Sequence, residues 1–203
     1  MPRTPRVVED RREQIIDAAM RAFASKGFGR ATNKDVANEA GITSGLIYYY
    51  FESKEALLKA ILEERSPMQV VARMPSEMLE QPPEVFLPTL LNRVLSIVEG
   101  EQFVGLIRVM LPEVLHNPEV TPLMTDFLRR VLGFISEYLR VQIARGTVRD
   151  DINLDVVGHA LLGSMITLVV RRQILLDSQV AGYTPTELVQ ALVTTILQGI
   201  QPR

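Results

Sequence analysis

The chain has 203 residues, 47% of them hydrophobic and 23% charged, with a formal net charge of −2. That is one or two compact domains with buried cores, and it excludes a chain that is disordered or fibrous throughout. Cysteine is absent and there are only two histidines, so disulfides, thiol catalysis and cysteine-ligated metal are excluded, and a His-rich metal cage has no material.

The first residues, MPRTPRVVEDRRE, place no apolar signal region behind their arginines. The stretch Val156 to Val170 is uncharged but short for a membrane span, and it contains His159. A cytoplasmic protein with no membrane partner is expected. Residues 1–66 carry 11 Lys and Arg against 10 Asp and Glu, and the remainder 11 against 14. With so small an asymmetry, local placement of charge decides whether a surface suits phosphate.

Helical spacing recurs and strand signals do not. A first helix is predicted over 8–25, with Ile15, Ala19 and Phe23 on one face and Gly27 as its stop. A short second helix starts at Thr32, where Thr32 and Asp35 have the spacing of a capping box, and ends at Ala40-Gly41. Thr43 caps a third helix to about Phe51, and Ser53 a fourth to about Arg65. Pro67, Pro75, Pro82 and Pro83 mark residues 66–83 as a boundary or linker. Longer helices follow over about 84–98, 101–115, 121–144, 155–176 and 186–198. Thr121-Pro122 is favoured over Asn117-Pro118 as the start of the third of these, and Thr184-Pro185-Thr186-Glu187 is a strong start for the last. Pro112 is expected to kink or shorten its helix. The result is an all-α chain of about nine helices.

The informative segment is GFGRATNKDVANEAGITSGLIYYYFESK, Gly27 to Lys54. Two short helices joined by a tight turn at Ala40-Gly41-Ile42 form a helix-turn-helix over about 32–51, in which the second helix enters a DNA major groove. The run Ala40-Gly41-Ile42-Thr43-Ser44-Gly45, then Ile47-Tyr48-Tyr49-Tyr50-Phe51, then Ser53-Lys54-Glu55-Ala56-Leu57 resembles the TetR/AcrR family of transcriptional repressors. The resemblance is close from about Glu9 to Arg65. Ile42 stands where the family usually has Val, Ile47 where it has Leu, and Tyr50 where it often has His.

Residue chemistry points the same way. Thr32 and Thr43 lie at helix N-termini, where hydroxyls, free amides and dipole favour phosphate; they also serve as caps. Asn33 and Lys34 open one helix, and Ser44, Gly45 and Leu46 the next. Ser bonds base donors or acceptors, Leu touches a thymine methyl, and Gly45 has either a packing reason or a groove reason. Three consecutive tyrosines cannot all face one core, so at least one is exposed. The resemblance implies backbone phosphate for Tyr48, groove contact for Tyr49, the phosphate role usually held by His for Tyr50, and phosphate for Lys54. Arg3 and Arg6 form a minor-groove arm or a tail.

The resemblance further implies a three-helix DNA-binding domain at 1–66 and a larger helical ligand-binding and dimerisation domain at 67–203. The last two helices would pair with those of a second copy through Leu161, Leu162, Ile166, Leu188, Leu192 and Ile196, with Gly158, Gly163 and Ser164 thinning the surface. Pocket candidates are polar groups within apolar helices. Arg108, Tyr138 and His159 stand beside Phe103, Ile107, Met110, Phe134 and Met165, with Gln102, His116, Thr167 and Met124 as further candidates. Core packing explains the same residues. The expected protein is therefore no enzyme, and it has neither metal nor cofactor. Its partners are a double-stranded operator, a second copy of itself and a small-molecule effector. A helical protein-interaction module, or a DNA-binding regulator without an inducer, are the alternatives.

Overall fold

A computed structural model describes residues 5–202; the side chains of residues 5–9, 70, 102 and 109 lie outside that description. Arg3 and the side chains of Arg6 and Gln102, raised above, fall outside the described residues. Among those residues the chain is helical, with no strand. Each of the nine expected helices has a counterpart: α1 (Pro5–Lys26), α2 (Asn33–Ala40), α3 (Ser44–Tyr50), α4 (Lys54–Glu64), α7 (Pro83–Val98), α8 (Glu101–His116), α9 (Val120–Ala144), α10 (Leu154–Val169) and α12 (Pro185–Ile200). Three one-turn segments, α5 (Met68–Ala72), α6 (Ser76–Leu79) and α11 (Ser178–Ala181), are additional.

Two of the additions, α5 and α6, lie within 66–83, the stretch expected as a boundary or linker. Pro67 and Pro75 each stand immediately before a turn of helix, where a missing N–H is harmless, so the prolines start helices as well as interrupt them. α9 starts one residue before the expected Thr121 cap. The Thr121 hydroxyl donates to Val114 O (2.8 Å) and Asn117 O (3.2 Å), and Asn117 Oδ1 accepts the Glu119 N–H at 3.0 Å. Pro122 is tolerated because the first-turn amides have no helical acceptor. Pro112 neither ends nor shortens α8, which continues to His116. The helix expected over 155–176 is α-helical only to Val169 and continues as a π turn over Val170–Ile174. Together they are 21 residues long and apolar enough by length and composition to cross a membrane, although only 22% buried inside the chain. The added length brings in Asp155, Arg171 and Arg172, so the uncharged part of the helix remains Val156 to Val170.

Packing divides the chain into two compact units. The first is Met1–Ser66 with Glu101–Thr125, and the second is Pro67–Gly100 with Asp126–Arg203. In the first, Ile15, Ile16, Ala19 and Phe23 of α1 are buried with Val36 and Ala37 of α2, Ile47 of α3, and Leu57, Leu58 and Ile61 of α4. Charged pairs fasten α4 to α1 at its C-terminal end: Arg12 with Glu64, and Arg65 with Asp17 at 2.7 Å. α8 lies so close to α1 that a Cβ at Gly105 would approach Ala24 Cβ to 3.1 Å.

The second unit is built around α7, whose Phe86, Leu87, Leu90, Leu91 and Leu95 are buried. Phe86 stacks on Tyr138 of α9 with ring centroids 4.0 Å apart. Gln142 is fully buried and satisfied: its Nε2 donates to Gln81 O at 3.1 Å and its Oε1 accepts from Thr147 Oγ1 at 2.8 Å. Arg172, within the π turn, pairs with Glu99 at 2.6 Å and donates to Val180 O and Tyr183 O, which ties α7, α10 and the approach to α12 together.

Candidate nucleic-acid interface

α2 and α3 owe their short lengths to chemistry at their ends. Thr32 Oγ1 accepts the Asp35 N–H at 3.2 Å, and Asp35 Oδ2 accepts the Thr32 N–H at 2.9 Å and the Thr32 hydroxyl at 2.7 Å, completing the capping box. Asp35 also receives Lys26 Nζ at 2.5 Å. That bond, followed by those from Thr32, holds the carboxyl at about 2 instead of 3.8. Gly41 ends α2 at φ 64°, a conformation glycine adopts without a Cβ clash, and the chain re-enters helix within three residues.

Four exposed features lie in α3 and its cap. Thr43 occupies the N-cap position yet makes no side-chain capping bond, so its exposed hydroxyl is uncommitted at the positive end of a helix. A Cβ at Gly45 would meet nothing within 4 Å. Packing within the chain therefore does not require glycine at that position. Tyr48 and Tyr49 are 61% and 73% exposed. Ser44 and Leu46 are half-buried, while Lys34 on α2 is exposed.

Three expected contact residues sit differently. Tyr50 is half-buried edge-on to Tyr49 with centroids 5.1 Å apart, and its hydroxyl is buried with no partner among the described residues. Asn33 Oδ1 is likewise buried and unpartnered. Lys54, in the first turn of α4, points its ammonium into the chain. It donates to Phe28 O (2.7 Å), Gly29 O (3.3 Å) and Ala31 O (3.3 Å), which are as many acceptors as an ammonium has N–H groups. Thr32 is exposed, but its hydroxyl is engaged with Asp35.

The remaining candidates fall in separate units. Phe103, Ile107, Arg108 and Met110 lie on α8, in the first unit. Of these Met110 is buried, Phe103 and Ile107 half-buried, and Arg108 exposed. Phe134, Tyr138, His159 and Met165 belong to the second unit. Phe134 and Tyr138 both pack on Phe86, and Met165 is buried. His159, expected inside, stands on the outer face of α10 with Nδ1 against Asp155 O at 2.6 Å. The register that buries Leu161 and Met165 turns it outward. Leu161, expected at a dimer surface, is 2% exposed and belongs to its own chain's core. Gly158 does too, since a Cβ there would touch Leu132 at 3.4 Å. Ile166 is exposed; Leu162, Leu188, Leu192 and Ile196 are half-buried. Among the described residues no group of three or more His, Asp or Glu is placed to hold a metal ion.

Sequence reasoning missed Phe28, Gly29 and Glu113. Phe28 is fully buried against Phe23, and the glycines on either side of it were the only local signal.

Comparison with known proteins adds the following. Residues 15–61 match the family model of bacterial regulatory proteins, tetR family. The HTH-type transcriptional regulator SrpR of Pseudomonas putida is 31% identical over 156 residues, which cover 75% of this chain and 70% of that protein. The HTH-type transcriptional regulator UidR of Escherichia coli (strain K12) is 26% identical over 155 residues, 74% of this chain and 76% of that protein. Among solved structures, the transcriptional regulator FadR from Bacillus subtilis in complex with stearoyl-CoA has a TM-score of 0.77 at 22% identity, covering 93% of this chain and 99% of that one.

Proposed function

The chain belongs to the tetR family of bacterial regulatory proteins and is a DNA-binding transcriptional regulator, not an enzyme; from that premise we propose that it is a repressor that binds a palindromic operator as a homodimer and leaves it when a small molecule binds. The observation that carries the proposal is the outward set on α3. Two exposed tyrosines, an uncommitted N-cap hydroxyl and a glycine open to space are turned to solvent there, and Tyr49 stays largely exposed despite its ring contact with Tyr50. In a major groove, Thr43 and Tyr48 meet phosphate, and Ser44, Gly45, Leu46 and Tyr49 meet base edges. Thr32, Asn33, Lys34 and Tyr50 flank that set. Lys54 enters this reading through the loop it holds.

Residues 1–66 form the DNA-binding domain in this reading, and 67–203 carry dimerisation and effector binding; Glu101–Thr125 is the part of the latter that packs with the former. A second copy is favoured by α10 and α12. The two helices touch, and their exposed residues carry almost no charge. Along α10 these include Val156, Ala160, Gly163, Ser164, Ile166 and Thr167; along α12, Gln190, Ala191, Thr194 and Thr195. Charge depletion with small and apolar side chains marks the centre of a protein interface. A membrane is disfavoured because Arg171 and Arg172, at the end of the same helix, are bound to Asp177 and Glu99. One recognition helix reads few base pairs, and two related by symmetry read a palindrome.

The effector argument is one of linkage. A ligand moves the chain off its operator only if it binds the non-binding state more tightly. FadR of Bacillus subtilis was crystallised with stearoyl-CoA, which makes a long-chain acyl-CoA a rational first probe for this chain.

The test is selection of duplexes from a random library at low salt, beside the Tyr48→Ala/Tyr49→Ala variant. Recovery of a palindrome by the wild type alone supports the proposal, with affinity falling steeply as salt rises. A selected site without two-fold symmetry would overturn the homodimer. Operator affinity unmoved by any acyl-CoA or by extracts would favour a regulator without inducer.

A further inference from the structure

We propose that Glu113 is a positioning residue of the DNA-reading unit: with Lys54 it grips the loop from Gly27 to Ala31 and so sets where α2 begins. Glu113 lies on α8, far from the helix-turn-helix in sequence. Its Oε1 accepts the Gly29 N–H at 2.7 Å, within the first compact unit. Lys54 Nζ takes the Gly29 carbonyl, together with those of Phe28 and Ala31, and lies 4.5 Å from the centroid of the Phe28 ring. One residue is therefore held at its N–H by an anion and at its C=O by a cation, and both bonds are charge-assisted.

Three further observations say that the contact is built. A Cβ at Gly29 would stand 2.8 Å from Glu113 Oε1, so any other residue there would push the carboxylate off its present place. Glu113 Oε2 accepts Asn117 Nδ2 at 3.3 Å, which aims the carboxylate. The close approach of α8 to α1 at Gly105 and Ala24 fixes the helix that carries it. The loop so held turns at Gly27 (φ 85°) and delivers Thr32 as the cap of α2. The tight turn at Gly41 then passes that placement to α3. Glu113 touches no DNA in this account; it acts through the position of α2 and α3.

This inference rests on the DNA-binding reading, and its test keeps the two apart. Four full-length variants are compared with wild type for operator affinity, thermal unfolding and hydrogen exchange of the Gly29 amide: Glu113→Ala, Glu113→Gln, Gly29→Ala and Gly29→Ala/Glu113→Ala. Glu113→Ala is expected to weaken operator binding about tenfold, the scale of a lost charge-assisted hydrogen bond, and to speed Gly29 exchange by a similar factor. Glu113→Gln retains an acceptor and restores most of both. Gly29→Ala weakens binding alone but adds nothing once Glu113 is gone, the non-additivity of a direct contact. Wild-type affinity in Glu113→Ala, additive effects in the double variant, or equal losses in the Gln and Ala variants would each overturn the proposal. A wild type that binds no duplex would defeat the DNA reading instead, and Gly29 exchange would still decide the clamp.

Discussion

The surfaces of α3 and of the α10–α12 pair are both left unsatisfied by their own chain, in opposite ways. α3 offers hydroxyls, two exposed phenol rings and the amides of a free helix end. α10 and α12 offer small and aliphatic side chains with scarcely a charge. Polar groups aimed outward from a positive helix end call for an anionic partner with its own hydrogen-bonding edges. An uncharged, thinned helix face calls for another such face. The chemistry of what is left exposed thus distinguishes the two proposed partners even where exposure itself does not.

That contrast can be broken experimentally. The largest effect is expected from Ile166→Glu, which places a carboxylate in the uncharged face of α10. Analytical ultracentrifugation should show a monomer, and operator affinity should fall more than about 100-fold because half-sites no longer bind together. The helical content of each chain should persist by circular dichroism, since the side chain is exposed on its own chain, while thermal unfolding should begin lower because association no longer adds stability. An intact dimer would move the interface elsewhere. Next is Tyr48→Ala/Tyr49→Ala, expected to lose about 10- to 100-fold in affinity by fluorescence anisotropy, at one contact's worth per tyrosine, with the dimer intact. Unaltered binding would remove α3 from the groove.

Arg172→Ala sharpens the comparison from inside the second unit. It strands the half-buried Glu99 and frees two carbonyls, and should cost about 2 kcal/mol in denaturant unfolding. The smallest effect concerns Asp35. Its carboxyl is held at about 2 against 3.8 unfolded, so its contribution is complete above about pH 4 and disappears as pH falls through 2. Circular-dichroism melts between pH 5 and about 2 should show wild type losing more stability than Asp35→Asn. Parallel curves would remove Asp35 from the acid response.

The helices whose ends are written locally were legible. Thr32 with Asp35, Gly41, Ser53, and Thr184 with Glu187 behave as their spacing implies, because a cap needs only residues three or four apart. That at least one of the three tyrosines is exposed followed from helical geometry, whereas which ones did not. What escaped depends on distant partners. Nothing near Glu113 announces Gly29, 84 positions away. Lys54 carries a charge that reads as phosphate-seeking until three carbonyls are found around it. Leu161 and Ile166 look alike in sequence, and only the packing of α10 on its neighbours decides which is core. The π turn, likewise, leaves no local mark in Val170–Ile174.

Gly45 has a consequence for any attempt to improve the protein. Glycine in a helix gives up roughly 0.5–1 kcal/mol relative to alanine, and the open space beside it would accept the methyl. A laboratory selection for heat resistance alone would therefore replace it early and harvest sturdier molecules. Those molecules would carry a methyl on the surface that the proposed reading turns to the groove. In that reading durability and recognition pull apart at this position, and a screen that scores only the first would drift away from a working regulator.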